Sequence, residues 1–345
     1  RKTMSSLSSQ GFFMPAEWQP HDCCWMGWPC RIKTWGERIY EAKLAYAEIA
    51  QAINQFEPVK MTARPEDAEE ARKMCGTQIE IVPLPMDDSW TRDSGPTFII
   101  DRKGKLAGID WEFNQWGADC PDCEDDADFA RALLNHISVE HFKAPFVLEG
   151  GSIHVDGDGT LMTTEQCLLH PNRNPELDQE EIEQLLREHL NVHNIIWLGE
   201  GLMDDETDGH VDNLACFIKP GAVMALISND PEDENYDVLQ DNLLRLKHAK
   251  DARERSLEII TVEQPEARWK EDERLAQSYI NFYLPNKGIV MPAFNDPVHD
   301  NQAREIFEKV FPDRKILPWD AQEIVMGGGG IHCITQQQPK AFVIS

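Results

Sequence analysis

Residues far apart in the chain combine into one kind of chemistry. Cys333 follows the run Gly327-Gly-Gly-Gly330. Consecutive glycines let backbone approach a ligand closely and present free N–H groups. A thiol in that setting is a candidate nucleophile when an imidazole or a ligand cation stabilises its thiolate. His210 and Asp212 stand two apart in Asp208-Gly-His-Val-Asp-Asn213. On a strand, that spacing turns an acid–base group and a carboxylate to one face. Asp93 follows a loop that holds Asp87, Asp88 and Trp90. Carboxylates suit fork-like N–H donors, and an indole face suits a planar cation. Glu149, before Gly150-Gly151, repeats the pattern more weakly. The set is suited to thiol attack on a planar cation rich in N–H groups.

Each feature also has a plainer account. A free cysteine is most often a small core residue, and that account is accepted for Cys23, Cys24, Cys75, Cys167 and Cys216. The glycine run sets Cys333 apart. His210 and Asp212 are also compatible with a metal pair, but H-x-D alone falls short of a metal motif, and His189 with His193 lacks acidic partners. Asp156-Gly-Asp-Gly159 is read as a hairpin turn, because the rest of a calcium loop is missing. Cys120-Pro-Asp-Cys123 has no second ligand pair for zinc and is read as an acidic loop with two thiols.

The elements that must position these residues recur in a fixed order. Helical periodicity predicts helices over 36–56, 65–75, 125–137, 178–190, 235–249 and 298–310. Most lead into short β-rich runs at 59–62, 79–82, 145–148, 195–198 and 259–262. Hairpins are predicted for 97–100 with 106–113, 152–155 with 160–164, 210–218 with 223–228, 279–284 with 289–292, and 331–335 with 341–344. The repeat is strand, strand, helix, strand, and five hairpins are countable. Repeats of this kind close into a ring or a stack, and the Trp-rich start, 18–28, is placed to pair with the last unit. The competing architecture is an ordinary mixed α/β domain. In a ring, Asp93, Glu149, His210, Asp212 and Cys333 occupy equivalent positions at the hairpin starts and converge.

Composition bounds the partners. The chain has 345 residues and is 41% apolar, with 61 acidic against 33 basic side chains and a formal charge of −28. Nucleic acid and anionic membrane both need a basic face, so neither is expected. A small cationic substrate is. No stretch resembles a membrane span or a signal core, and nine scattered cysteines read as reduced thiols, so a cytoplasmic location is expected. Met4 is the expected start of one domain over 4–345, with 1–3 a leader or vector remnant. A homodimer is compatible with the acidic surface.

Met14-Pro-Ala-Glu-Trp-Gln-Pro-His21, Trp90-Thr-Arg-Asp-Ser-Gly-Pro96, Glu149-Gly-Gly151, Gly209-His-Val-Asp-Asn213 and Ile331-His-Cys-Ile-Thr-Gln-Gln-Gln-Pro339 resemble agmatine deiminases. They fall in the same order and span nearly the whole chain. The resemblance implies a five-bladed α/β propeller, the pentein fold, built from ββαβ repeats. It implies hydrolysis of agmatine to N-carbamoylputrescine and ammonia in putrescine biosynthesis, with no metal or organic cofactor. By motif match, Cys333 is the nucleophile and His210 the acid and base. Asp93 and Asp212 grip the guanidinium, and Glu149 supports His210 or the guanidinium. Gly330 and Asp208 stand where these enzymes usually carry Asn. Asp87, Glu206 and Trp90 are candidates for the far ammonium end, and Gly330 is a further candidate for substrate binding. Arg92 is expected to be structural. Alternatives are a deiminase of arginine or peptidyl arginine, a metal-dependent hydrolase on His210 and Asp212, and a non-catalytic polyamine-binding protein.

Overall fold

A computed structural model describes residues 5–345. Its sheets follow one plan. Thr97–Ile100 pairs antiparallel with Leu106–Glu112, the chain passes through the helix Glu124–His136, and Glu140–Val147 returns parallel to Leu106–Glu112. The plan repeats with His154–Val155, Thr160–Thr164, the helix Gln179–Leu190 and Asn194–Leu198. It repeats again with Ala215–Lys219, Ala222–Ile227, the helix Tyr236–His248 and Glu258–Glu263. A fourth unit reduces its first strand to one bridge, Tyr283 to Val290, before Gly288–Ala293, the helix Pro297–Val310 and Lys315–Asp320. The fifth joins the two ends of the chain. Gln336–Pro339 pairs antiparallel with His21–Gly27, which continues through the helix Ile39–Asn54 to the parallel strand Val59–Ala63. Glu80–Pro83 extends that sheet.

Local chemistry explains the element ends. Asp178 caps the helix Gln179–Leu190 in a capping box with Glu181, and Asn191 ends it in the left-handed conformation. Asp296 accepts from the His299 N–H while Pro297 opens the helix Pro297–Val310. Each long helix turns an apolar stripe inward, as with Ile182, Leu186 and Leu190. Full burial of such a side chain stabilises by about 1.5–3 kcal/mol. No helix among the described residues is long and apolar enough to cross a membrane.

Three sequence expectations are corrected. His210-Val-Asp212 is not strand; Val211–Asn213 is a 3-10 turn, closed by the Leu214 N–H donating to the Val211 carbonyl after Gly209 at φ +84°. Ile331–Thr335 is likewise a tight turn, with Thr335 Oγ1 donating back to the Ile331 carbonyl. The strand follows it and pairs with His21–Gly27, not with 341–344, where only Val343 bridges to Lys103. Cys120 and Cys123 are joined as a disulfide, leaving seven free thiols, all buried.

Candidate active site

The turns just described build the site. Four of the five units open on a short helical turn: Thr91–Ser94, Gly150–Ser152, Val211–Asn213 and His332–Ile334. These turns, with the residue before each, carry Asp93, Glu149, His210, Asp212 and Cys333. All five residues are buried. The fourth unit contributes Asn281, just ahead of its bridge. Gly151 marks where the groups meet. A Cβ there would lie 2.7 Å from His210 Nδ1, 2.8 Å from Asp93 Oδ1 and 2.9 Å from Asp212 Oδ2. Only glycine leaves that point open.

Each group is held from behind. His210 Nε2 donates to Glu149 Oε1 at 2.9 Å, and Arg173 clamps the same carboxylate through Nε and Nη2. Asp93 accepts from the Gly151 N–H at 2.9 Å and from Trp116 Nε1 at 2.8 Å. Asp212 Oδ2 accepts from His332 Nδ1 at 3.0 Å, and Cys333 Sγ lies 3.7 Å from the same oxygen. Asn281 Nδ2 donates to Cys333 Sγ at 3.4 Å. Two buried atoms, His210 Nδ1 and Asp212 Oδ1, have no hydrogen-bond partner. An unmet donor and acceptor beside a thiol are what a bound N–H-rich cation and its leaving nitrogen would satisfy.

Electrostatics sets the protonation of these groups. Burial, then the charges of Asp212 and Asp93, push the Cys333 thiol well up. Burial works against a charged His210, but Asp93, Cys167 and Glu149 outweigh it and hold the imidazole well above its ordinary value. Burial raises Glu149, yet its bond from His210 and the Arg173 charge bring it down to about 2. Asp93 is pushed up to about 6 by burial, against His210 and with help from Asp212 and Glu149. The resting pair is a neutral thiol with a charged imidazole. A cation between Asp93 and Asp212 would offset the two charges that raise the thiol.

The open part is a cavity of about 230 Å³ whose walls include Asp88, Trp90, Asp93, Trp116, Glu206 and Cys333. Trp90 is fixed by stacking on Trp35 at 5.5 Å between centroids, and by donating Nε1 to Asp88 Oδ2. Two candidates lie elsewhere. Asp87 turns its carboxylate to the Asp126 N–H at the start of the helix Glu124–His136, so Asp88 is the acid that this loop gives to the cavity. Gly330 is off the wall. A Cβ there would lie 2.4 Å from Asn281 Oδ1, so its lack of a side chain seats Asn281 against the thiol. Asp208, the other departure, accepts from Arg173 Nη1 at 2.8 Å. Arg92 is structural: it is buried and donates to Gln336, Gln337 and the His332 carbonyl.

Sequence reasoning missed Arg173, Trp116, Asn281, His332 and Glu17. Asn281 had a usable signal, because it opens the one unit to which no polar residue was assigned. Arg173 and Trp116 lie between regular elements, where strand and helix periodicity says nothing. For the metal pair, His210 Nε2 faces Glu149, which already carries the Arg173 guanidinium, and Asp212 faces His332.

A buried thiol, an imidazole and carboxylates thus meet on the opening turns of ββαβ units in a mixed α/β fold. The chain belongs to the Porphyromonas-type peptidyl-arginine deiminase family, matched over residues 13–339. A Legionella pneumophila relative is 53% identical over 333 residues, 96% of each chain, and carries agmatine deiminase as a provisional name. The agmatine deiminase of Stutzerimonas stutzeri is 44% identical over 366 residues, 99% of each chain. The solved structure of the Enterococcus faecalis agmatine deiminase superposes with a TM-score of 0.94 at 36% identity, covering 99% of each chain.

Proposed function

We propose that the protein hydrolyses agmatine to N-carbamoylputrescine and ammonia, a step in making putrescine. The observation that carries this reading is the convergence at Gly151 of His210, Asp93 and Asp212, with the Cys333 thiol against Asp212. The names of the relatives at 44% and 36% identity support the substrate.

The guanidinium carbon is electron-rich and a poor electrophile. Carboxylates on its nitrogens fix geometry and localise charge, so that a nucleophile can reach the carbon. Asp93 and Asp212 are placed for this, with Asp212 Oδ1 free to accept. The bound cation lowers the thiol pKa and the Cys333 thiol loses its proton to solvent; the thiolate then adds to the carbon as the C=N π pair moves onto nitrogen, giving a neutral tetrahedral adduct. His210, charged at rest, gives its proton to the leaving nitrogen. The C–N bond breaks and ammonia departs, leaving an amidino thioether. Neutral His210 then takes a proton from water, whose oxygen adds to the same carbon. The C–S bond breaks, and N-carbamoylputrescine and the thiol are released. Glu149 and Arg173 hold the imidazole through both halves.

Agmatine is favoured over arginine or peptidyl arginine by the acids Asp88 and Glu206 among the cavity walls. Two lysines also line the cavity: Lys33 lies 3.7 Å from Asp122, and Lys270 Nζ donates to the Met326 carbonyl. The five units are further proposed as blades round a pseudo-fivefold axis in one domain over 4–345, supported by the pairing of the last strand with the first. Seven of nine cysteines being free supports a cytoplasmic location, with the Cys120–Cys123 disulfide counting against it.

The test is intact-mass analysis after rapid quenching of the protein with agmatine, arginine and an arginyl peptide in parallel. The expected result is an amidino adduct mapped to Cys333 with agmatine alone, absent from Cys333→Ser. Ammonia release by Cys333→Ser at a normal rate would sink the assignment. Adducts with arginine or peptide instead would replace the substrate.

A further inference from the structure

Behind Asp212 lies a second buried dyad that the proposed chemistry does not use. His332 Nδ1 meets Asp212 Oδ2 at 3.0 Å, and its Nε2 meets Glu17 Oε1 at 2.6 Å. Both ring nitrogens therefore face carboxylates, an arrangement that requires a proton on each. Glu17 is also tied to Arg92 Nη2 at 3.4 Å. All four side chains are buried. A small cavity of about 10 Å³ is bounded by Glu17, His154, Asp212 and His332.

We propose that Glu17 and His332 are positioning residues for the reaction: the imidazolium they form locks one oxygen of Asp212, leaves the other free for the guanidinium, and keeps Asp212 ionised. The inference rests on the Cys333 chemistry proposed above and extends it to two residues that touch no substrate.

The geometry gives the reason. A carboxylate rotates freely about its last bond unless one oxygen is pinned. Here Oδ2 takes the His332 bond, and Oδ1 has no partner. Asp212 also sits in a cluster of acids, with Asp93 and Glu149 near, where one carboxyl of a set tends to protonate. A protonated Asp212 would not pair with a guanidinium. The titratable and charged groups facing the dyad are Arg92, Asp93, His154, His210, Cys216, Arg314 and Cys333. Arg92 disfavours a charged His332, while Glu17 and Asp212 favour it and prevail, with His332 raised and Asp212 lowered. His154, whose ring is 6.5 Å from His332, is held neutral by burial, with its pKa down to about 4.

Glu17→Gln keeps shape and removes the charge, and His332→Gln removes the cation. The experiment measures kcat/KM for agmatine and the rate of Cys333 alkylation by iodoacetamide, both against pH, with thermal unfolding as the folding control. In both variants the acid limb of kcat/KM should move up by about one pH unit, and KM should rise about tenfold, more than kcat falls. The alkylation limb of Cys333 should also move up, because a compensating cation is lost. A folded Glu17→Gln protein with unmoved limbs would overturn the proposal. So would failure of both variants to fold, which leaves the dyad a purely structural role. Wild-type protein inactive on agmatine would defeat the functional reading instead, and the alkylation profiles would still judge the dyad.

Discussion

Glu149 receives two opposed cations, the imidazole of His210 at 2.9 Å and the guanidinium of Arg173 at 2.7 Å, with no solvent reaching either contact. One carboxylate thus serves the fold through Arg173 and the proposed chemistry through His210, and the two roles separate by substitution.

Glu149→Gln keeps a hydrogen-bond acceptor but loses its charge. His210 then holds its proton less firmly, so the basic limb of kcat/KM moves to lower pH, and kcat falls about 100-fold. The acid side of stability changes too. Glu149 lies below its ordinary 4.5, at about 2, so its contribution is complete above pH 4.5 and is lost as pH falls toward 2. Urea midpoints across that window should fall less steeply in the variant than in the wild type.

Arg173→Met leaves Glu149 buried with half its partners. Breaking a buried pair from one side costs about 3–5 kcal/mol, which urea unfolding at neutral pH reads directly. The double variant with Glu149→Gln should recover part of that loss. An additive double variant would show that the pair is not coupled.

Gly151→Ala places a methyl among His210, Asp93 and Asp212 at under 3 Å from each. Those atoms must separate, so turnover should drop about 100-fold or more, while the circular dichroism spectrum is retained. An active alanine variant would mean that the three groups do not meet at that point during reaction.

Asn281→Ala removes the donor at Cys333 Sγ and opens space beside Gly330. Charge-assisted donation to a thiolate is worth about tenfold or more in reactivity. Alkylation of Cys333 at fixed pH should slow by that factor, and its pH midpoint should rise.

Glu206→Gln tests the far wall of the cavity. KM for agmatine should rise about tenfold, whereas a butylguanidine without the terminal ammonium should be unaffected. Equal effects on both would remove Glu206 from the ammonium site.

Much of this arrangement is legible in the sequence because repeats carry register. Asp93, Glu149, His210 and Cys333 precede or open equivalent hairpins, so their convergence follows from counting strands before any contact is known. Turn geometry was less legible. His210-Val-Asp212 has the period of a strand, yet a positive φ at Gly209 starts a turn instead. Both side chains still reach one place because the turn, like the strand, keeps them close. Asp87 and Asp88 differ by one position, yet only Asp88 reaches the cavity, because Asp87 turns to the Asp126 N–H at a helix start, which no local pattern encodes. His332 and Glu17 are 315 residues apart and meet through a buried contact, which a periodic reading cannot anticipate.

Gln336–Pro339 lies against His21–Gly27, and Cys333 sits just ahead of that strand. On a ribosome, the proposed nucleophile and the strand that follows it emerge after the other members of the set. A nascent chain would carry Asp93, Glu149 and His210 for most of its synthesis without a thiol to complete them. The proposed site is thereby completed only once Cys333 and its strand have been made.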